Sequence, residues 1–139
     1  MIESRPPQQY DSANDLPGAP GTLSTNVDWP SGAIRVTAVG FWAPDQASDH
    51  FAHYASCVRR IHQDGLPARV MIDFRQGVAQ ANSMIEGVSK GIEGLYRAGD
   101  RIAILEGGSI LKMQLKRLLA SEEYKFFTDE LEAESWLRS

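Results

Sequence analysis

Ala68-Arg69-Val70-Met71-Ile72-Asp73-Phe74 and Arg101-Ile102-Ala103-Ile104-Leu105 are the two runs that decide the fold. Both are apolar at nearly consecutive positions rather than alternate ones, the pattern of a strand covered on both faces. Between them, from Asn82 or Ser83 to about Ala98, a helical stripe runs through Met84, Ile85, Val88, Ile92, Leu95 and Tyr96, and Gly99-Asp100 ends it. Buried strand, crossover helix and buried strand make a βαβ unit, the building block of a parallel sheet. The close of the first run at Asp73 predicts a functional edge there, because open parallel sheets bind at their strand C-terminal ends.

Outward from this unit the signals stay regular. Upstream, Pro44-Asp45 starts a helix to about Gln63, with Phe51, Tyr54, Ala55, Val58 and Ile61 as its apolar stripe and Asp64-Gly65 and Pro67 as its stop. Ala33–Gly40 reads as a strand with Ile34, Val36 and Ala38 on one face. Thr22–Asp28 alternates weakly before the turn Trp29-Pro30-Ser31-Gly32, so the two form a hairpin. Downstream, Gly107-Gly108-Ser109 opens a third helix to about Ala120, with Ile110, Leu111, Leu115 and Leu118 expected inward and Ser109 as cap. Lys125-Phe126-Phe127 is a last strand. Thr128 or Asp129 caps a final helix carrying Glu130 and Glu132 in its first turn, where the helix dipole favours them. The order β-β-α-β-α-β-α-β-α predicts an α/β sandwich: a mixed, mostly parallel sheet of about five strands with an antiparallel first strand and four helices.

Composition narrows the classes of function. The 139 residues, 42% of them hydrophobic, suit one domain. Fourteen Lys and Arg against eighteen Asp and Glu give a net charge of −4, the wrong sign for a nucleic-acid binder. The single cysteine, Cys57, excludes an internal disulfide, and no run approaches the roughly 20 apolar residues of a membrane span. Met1-Ile2-Glu3-Ser4-Arg5-Pro6-Pro7 lacks the apolar core of a signal peptide, so the expectation is a cytoplasmic protein. Residues 1–21 hold Pro6, Pro7, Pro17, Pro20, Gly18 and Gly21 and almost nothing apolar; they read as a flexible arm before a domain over 22–139.

Reactive constellations are sparse. His50, His53 and Cys57 share one helical face and suit zinc by ligand type, but no fourth ligand has a recognisable spacing. They read as two half-exposed histidines and a packed thiol, and no metal site is assigned. Gly107-Gly108-Ser109 could hold an anion at a helix start, yet it lacks the lysine of a phosphate loop and the third glycine of a dinucleotide fingerprint. No Gly-x-Ser-x-Gly elbow and no His-Glu-x-x-His motif occurs, so no catalytic residue and no cofactor is expected. Lys112, Lys116 and Arg117 read as a solvated basic face. Gly87, Gly91 and Gly94 line one side of the second helix although each costs about 1 kcal/mol against alanine. That strip packs on a sibling helix, on a second copy, or against a ligand.

In this setting the chain resembles the SpoIIAA-like branch of the STAS superfamily, small domains related to bacterial anti-sigma factor antagonists and similar also to the CRAL-TRIO lipid-carrier fold. The resemblance rests on Val70-Met71-Ile72-Asp73-Phe74, on Asp100-Arg101-Ile102-Ala103-Ile104, and on the ending Phe127-Thr128-Asp129-Glu130 to Ala133-Glu134-Ser135-Trp136-Leu137. It covers residues 22–139. In those antagonists a phosphorylated serine within Asp-Ser-Ser-Gly starts the helix after the central strand. The nearest position here is Ser83, in Gln80-Ala81-Asn82-Ser83-Met84, and the signature itself is absent.

The resemblance and the lack of a catalytic constellation lead to a non-enzymatic regulatory module. It would present the loop Arg75–Asn82 and the glycine-lined helix to a protein partner or to its own copy. The expected surface is Asp73, Arg75, Asn82, Gly87, Gly91 and Gly94, with Ser83 as a phospho-switch position. The alternative is a carrier of a small apolar ligand or lipid, lined by Met84, Ile85, Phe74 and Trp42 beside the glycines.

Overall fold

A computed structural model of the chain describes residues 21–119 and 121–139. β1 (Thr22–Asp28) and β2 (Ala33–Gly40) form an antiparallel hairpin with Thr22 opposite Val39 and Asp28 opposite Ala33. Its turn closes on Gly32, whose φ of 78° is left-handed and whose N–H donates to the Asp28 carbonyl at 2.9 Å. Then follow α1 (Pro44–Gln63), β3 (Arg69–Gly77), α2 (Asn82–Gly91), β4 (Arg101–Leu105), α3 (Ser109–Leu118), β5 (Tyr124–Phe127) and α4 (Glu130–Arg138). The sheet order is β1-β2-β3-β4-β5, with β2 to β5 parallel.

Each crossover steps to the adjacent strand in the same direction. Right-handed connections therefore put α1, α2 and α3 on one face of the sheet. α4 lies on the other face, against β3, β4 and β5. Two cores result. Ile34, Val36 and Ala38 of β2, Val70, Ile72 and Phe74 of β3, and Ile102 and Ile104 of β4 join Tyr54, Val58, Ile61, Leu111 and Leu115 from the helices. Met71, Ala103 and Leu105 project the other way and meet Ala133, Trp136 and Leu137 of α4. β3 and β4 thus lie between two helical layers, and this is the physical reason their sequences are apolar without alternation.

Four boundaries differ from expectation. α2 ends at Gly91, not near Ala98: the backbone leaves helical geometry at Ile92, with φ −108° and ψ 8°, and Gly94 at φ 74° turns the chain further; Ile92 and Leu95 stay buried. Gly94 is therefore not part of a helical strip. β3 does not close at Asp73 but runs on to Gly77, so Arg75 belongs to the strand and the loop is shorter than expected. α3 stops at Leu118, short of Ala120, and is capped by Gly108 with no side-chain bond from Ser109; Ile110 faces solvent rather than the core. Gly21, assigned to the arm, is buried: its N–H donates to the Phe41 carbonyl at 2.8 Å and its carbonyl accepts from Gln46 Nε2 at 2.6 Å. The rest of the arm, residues 1–20, lies outside the described residues.

Candidate protein-docking site

A parallel sheet delivers its connecting loops to one end, and here that end is tied together by two glutamines. Gln80, buried in the loop after β3, accepts from the Trp42 N–H at 3.1 Å. It donates through Nε2 to the Gly40 carbonyl at 3.0 Å and to the Val78 carbonyl at 2.8 Å. Gln114 of α3 accepts from the Gln80 N–H at 3.0 Å, donates to the Gln80 carbonyl at 2.6 Å, and donates to Asn82 Oδ1 at 3.0 Å. The loops after β2 and β3, the start of α2 and the second turn of α3 are thereby held as one unit. Gly107 makes the approach of the loop after β4 possible, since a Cβ there would overlap the Phe74 carbonyl oxygen.

This rigid end exposes large apolar side chains. Phe41 is 51% exposed after β2, Val78 47% after β3, and Ile110 63% and Met113 61% on the outer side of α3. Leu131 on α4 is the other large apolar residue so exposed among the described ones. Leaving such side chains in water forgoes the roughly 1.5–3 kcal/mol that full burial of each would return. Exposed apolar side chains of this size, fixed by the hydrogen bonds of Gln80 and Gln114, are a candidate interaction surface. Ile110, expected inward from its stripe, faces solvent instead, and no local pattern distinguishes Phe41 or Val78. Ile110 lies one position before Leu111 and Met113 midway between Leu111 and Leu115, so both turn away from the core line; that offset is the signal that finds the α3 pair.

The six expected surface residues fall into separate places. Asn82, Ser83, Gly87 and Gly91 lie along the exposed side of α2. Ser83 occupies the first turn, not the cap, which is Ala81, and its hydroxyl makes no hydrogen bond with the described residues. A Cβ on Gly87 or Gly91 would meet nothing within 4 Å, so the glycines are not there to admit a sibling helix. They border a groove of about 410 Å³ between α1 and α2, which also touches Ser83 and Arg59.

Asp73 and Arg75 sit on the opposite face, toward α4. Asp73 Oδ2 meets Arg75 Nη2 at 2.7 Å and Arg35 Nη2 at 3.0 Å, while Glu130 pairs with Arg75 at 2.8 Å and Arg35 at 3.1 Å. The Arg75 hydrogen bonds, with the charge of Arg35 added, hold the Asp73 carboxyl below its ordinary range. This alternating ring of two cations and two anions anchors the first turn of α4 to the sheet. Asp73 is thus a structural ion-pair partner rather than the strand-end ligand group expected.

The helical histidines are tied elsewhere. His50 Nε2 lies 2.7 Å from Thr25 Oγ1, and His53 Nε2 3.7 Å from Cys57 Sγ. Burial pushes the Cys57 thiol up and the His50 imidazole down, which favours the neutral form of each. The cavity among Trp42, Phe74, Ile85 and their neighbours is about 30 Å³, the space of one water and not of an acyl chain. Trp42 and Phe74 fill that region with their own rings, 6.0 Å apart.

Neither a protein-family model nor a curated protein matches the sequence. Solved structures do match. The unphosphorylated anti-sigma factor antagonist SpoIIAA superposes with a TM-score of 0.58 over 84% of this chain and 96% of its own, at 11% identity. The chain has the SpoIIAA-like fold. An uncharacterised DUF3478-family protein with a SpoIIAA-like fold from Shewanella loihica gives 0.57 over 85% and 94%, at 17% identity. SiaC of Pseudomonas aeruginosa gives 0.51 over 80% and 93%, at 17% identity, and is also seen as the activator in a complex with the diguanylate cyclase SiaD. At such identities the likeness is one of fold. On this SpoIIAA-like frame, the exposed apolar side chains described above are this chain's own residues.

Proposed function

We propose that this chain is a non-enzymatic, cytoplasmic regulatory module that binds a protein partner through its strand C-terminal end. The observation that carries the reading is the set of exposed apolar side chains, Phe41 and Val78 on loops and Ile110 and Met113 on α3, at an end where Gln80 and Gln114 tie those loops to the helix. Preorganised loops reduce the ordering cost of association, and the apolar side chains supply its area. SpoIIAA is an anti-sigma factor antagonist and SiaC an activator of a diguanylate cyclase, so the fold is compatible with partner-directed regulation. Ser83 supplies the switch. A phosphate on its unpaired hydroxyl would place negative charge in the first turn of α2, at the end of the sheet that carries the docking loops, where it would disfavour an apolar or acidic partner. The test is affinity capture from cells of the source organism with wild type and the Val78→Asp, Met113→Asp double variant. Wild type retains a stoichiometric protein and the variant loses it; equal retention by both overturns the reading.

A further inference from the structure

We propose that the outer ridge of α3 receives an amphipathic helix whose apolar stripe gives way to carboxylates. The inference rests on the docking reading above and names the chemistry of the partner. α3 divides cleanly. Leu111 and Leu115 are committed to the core, which fixes the helix against the sheet. On its outer side, Ile110 and Met113 are exposed, and Lys116 and Arg117 follow one turn later, also exposed. Ile110, Met113 and Arg117 stand at i, i+3 and i+7, on one line of about 10 Å along the axis. Lys112 is already paired with Glu106 at 3.0 Å, whereas Arg117 has no ion-pair partner among the described residues. The ridge is therefore apolar at its start and cationic at its end.

Two further facts choose the occupant. The chain carries a net charge of −4, so the basic end of α3 stands against the charge of the whole and attracts acidic groups locally. A ridge with two outward apolar side chains, on a helix whose other face is already buried, offers little to insert into lipid, which disfavours a membrane as the occupant. A partner helix needs only two turns to cover the ridge, with Leu- or Met-like residues over Ile110 and Met113 and Asp or Glu over Lys116 and Arg117.

The test is titration of the isotopically labelled full chain with two synthetic peptides sharing one leucine stripe, one flanked by glutamates and the other by lysines. The glutamate peptide shifts the amide signals of Ile110, Met113 and Arg117, and the Lys116→Glu, Arg117→Glu variant weakens that binding by about tenfold or more. The lysine peptide binds the variant and not the wild type. Equal binding of both peptides to wild type, signals moving elsewhere, or no binding overturns the proposal. So does charge-dependent sedimentation with phosphatidylserine vesicles, which assigns the ridge to lipid. In affinity capture, Val78→Asp losing the partner while Lys116→Glu, Arg117→Glu keeps it overturns the ridge alone. Retention by both variants overturns the docking reading itself.

Discussion

Gln80 and Gln114 hold each other by a reciprocal pair of hydrogen bonds, the Gln80 N–H to Gln114 Oε1 and Gln114 Nε2 to the Gln80 carbonyl, at 3.0 and 2.6 Å. The pairing copies the bond pattern of two strand residues, but it joins a loop to a helix. Together with the Gln80 side chain it leaves the Trp42 N–H and the Gly40 and Val78 carbonyls satisfied.

Gln80→Ala strips those three backbone groups of their partner in a buried setting. Stability is expected to fall by about 2 kcal/mol, the scale of a buried polar group left unmatched. The Trp42 amide should exchange faster than in wild type. Urea denaturation gives the first quantity and hydrogen exchange the second; a change below about 0.5 kcal/mol with unaltered Trp42 protection contradicts the clasp.

Asp100 carries a second buried network, at the opposite end of the sheet. Its carboxylate accepts from His62 Nε2, from the Ala68 N–H and from the Arg97 N–H, each at 2.8 Å. Asp100→Ala leaves three donors in a dry site and should cost about 3–5 kcal/mol, read as a large drop in Tm. A Tm within a few degrees of wild type would falsify its role as the organiser of the turn between α2 and β4.

The glycines separate by what surrounds them. Gly107→Ala forces a Cβ into the Phe74 backbone and should destabilise by about 1–3 kcal/mol, as overpacking does. Gly87→Ala meets open space inside a helix and should stabilise by roughly 0.5–1 kcal/mol. Calorimetry of both variants reads opposite signs. The same sign in both sinks the distinction.

The Asp73 ring predicts a pH signature. Because the folded carboxyl is depressed, its contribution is fully present above its unfolded value of about 3.9 and is lost as pH falls through the lower folded value. Arg75→Gln removes the main cause of that depression. The variant should be less stable than wild type at neutral pH by up to about 1 kcal/mol, since Arg75 is partly exposed, and the gap should close below pH 4. Chemical denaturation at pH 7 and pH 2.5 checks it; a gap independent of pH contradicts the assignment.

Much of the fold was legible in local pattern. The continuous apolar runs of Val70–Phe74 and Ile102–Leu105 announced strands between two layers, and Asp129 was readable as a cap, its side chain accepting from the Leu131 N–H at 3.4 Å. What misled was position on a surface. The stripe through Ile92 and Leu95 continued after the helix had stopped, because the turn at Gly94 keeps both residues facing the sheet. Asp73 looked like a strand end, since nothing in its neighbourhood signals a ring completed by Arg35 and Glu130 from remote parts of the chain. The docking end was least legible of all. Phe41 and Val78 are single apolar residues in loops, and only the fold shows that they stand exposed at the strand C-terminal end from which α3, with Ile110 and Met113, also starts.

Site-specific photocrosslinking from Val78 in living cells of the source organism tests the central claim most directly. A photoreactive residue at Val78 should yield one predominant adduct with another protein, while the same residue at Ser135, exposed on α4 across the sheet, should yield none. Adducts of equal yield at both positions, or adducts from Ser135 alone, would contradict docking through the strand C-terminal end.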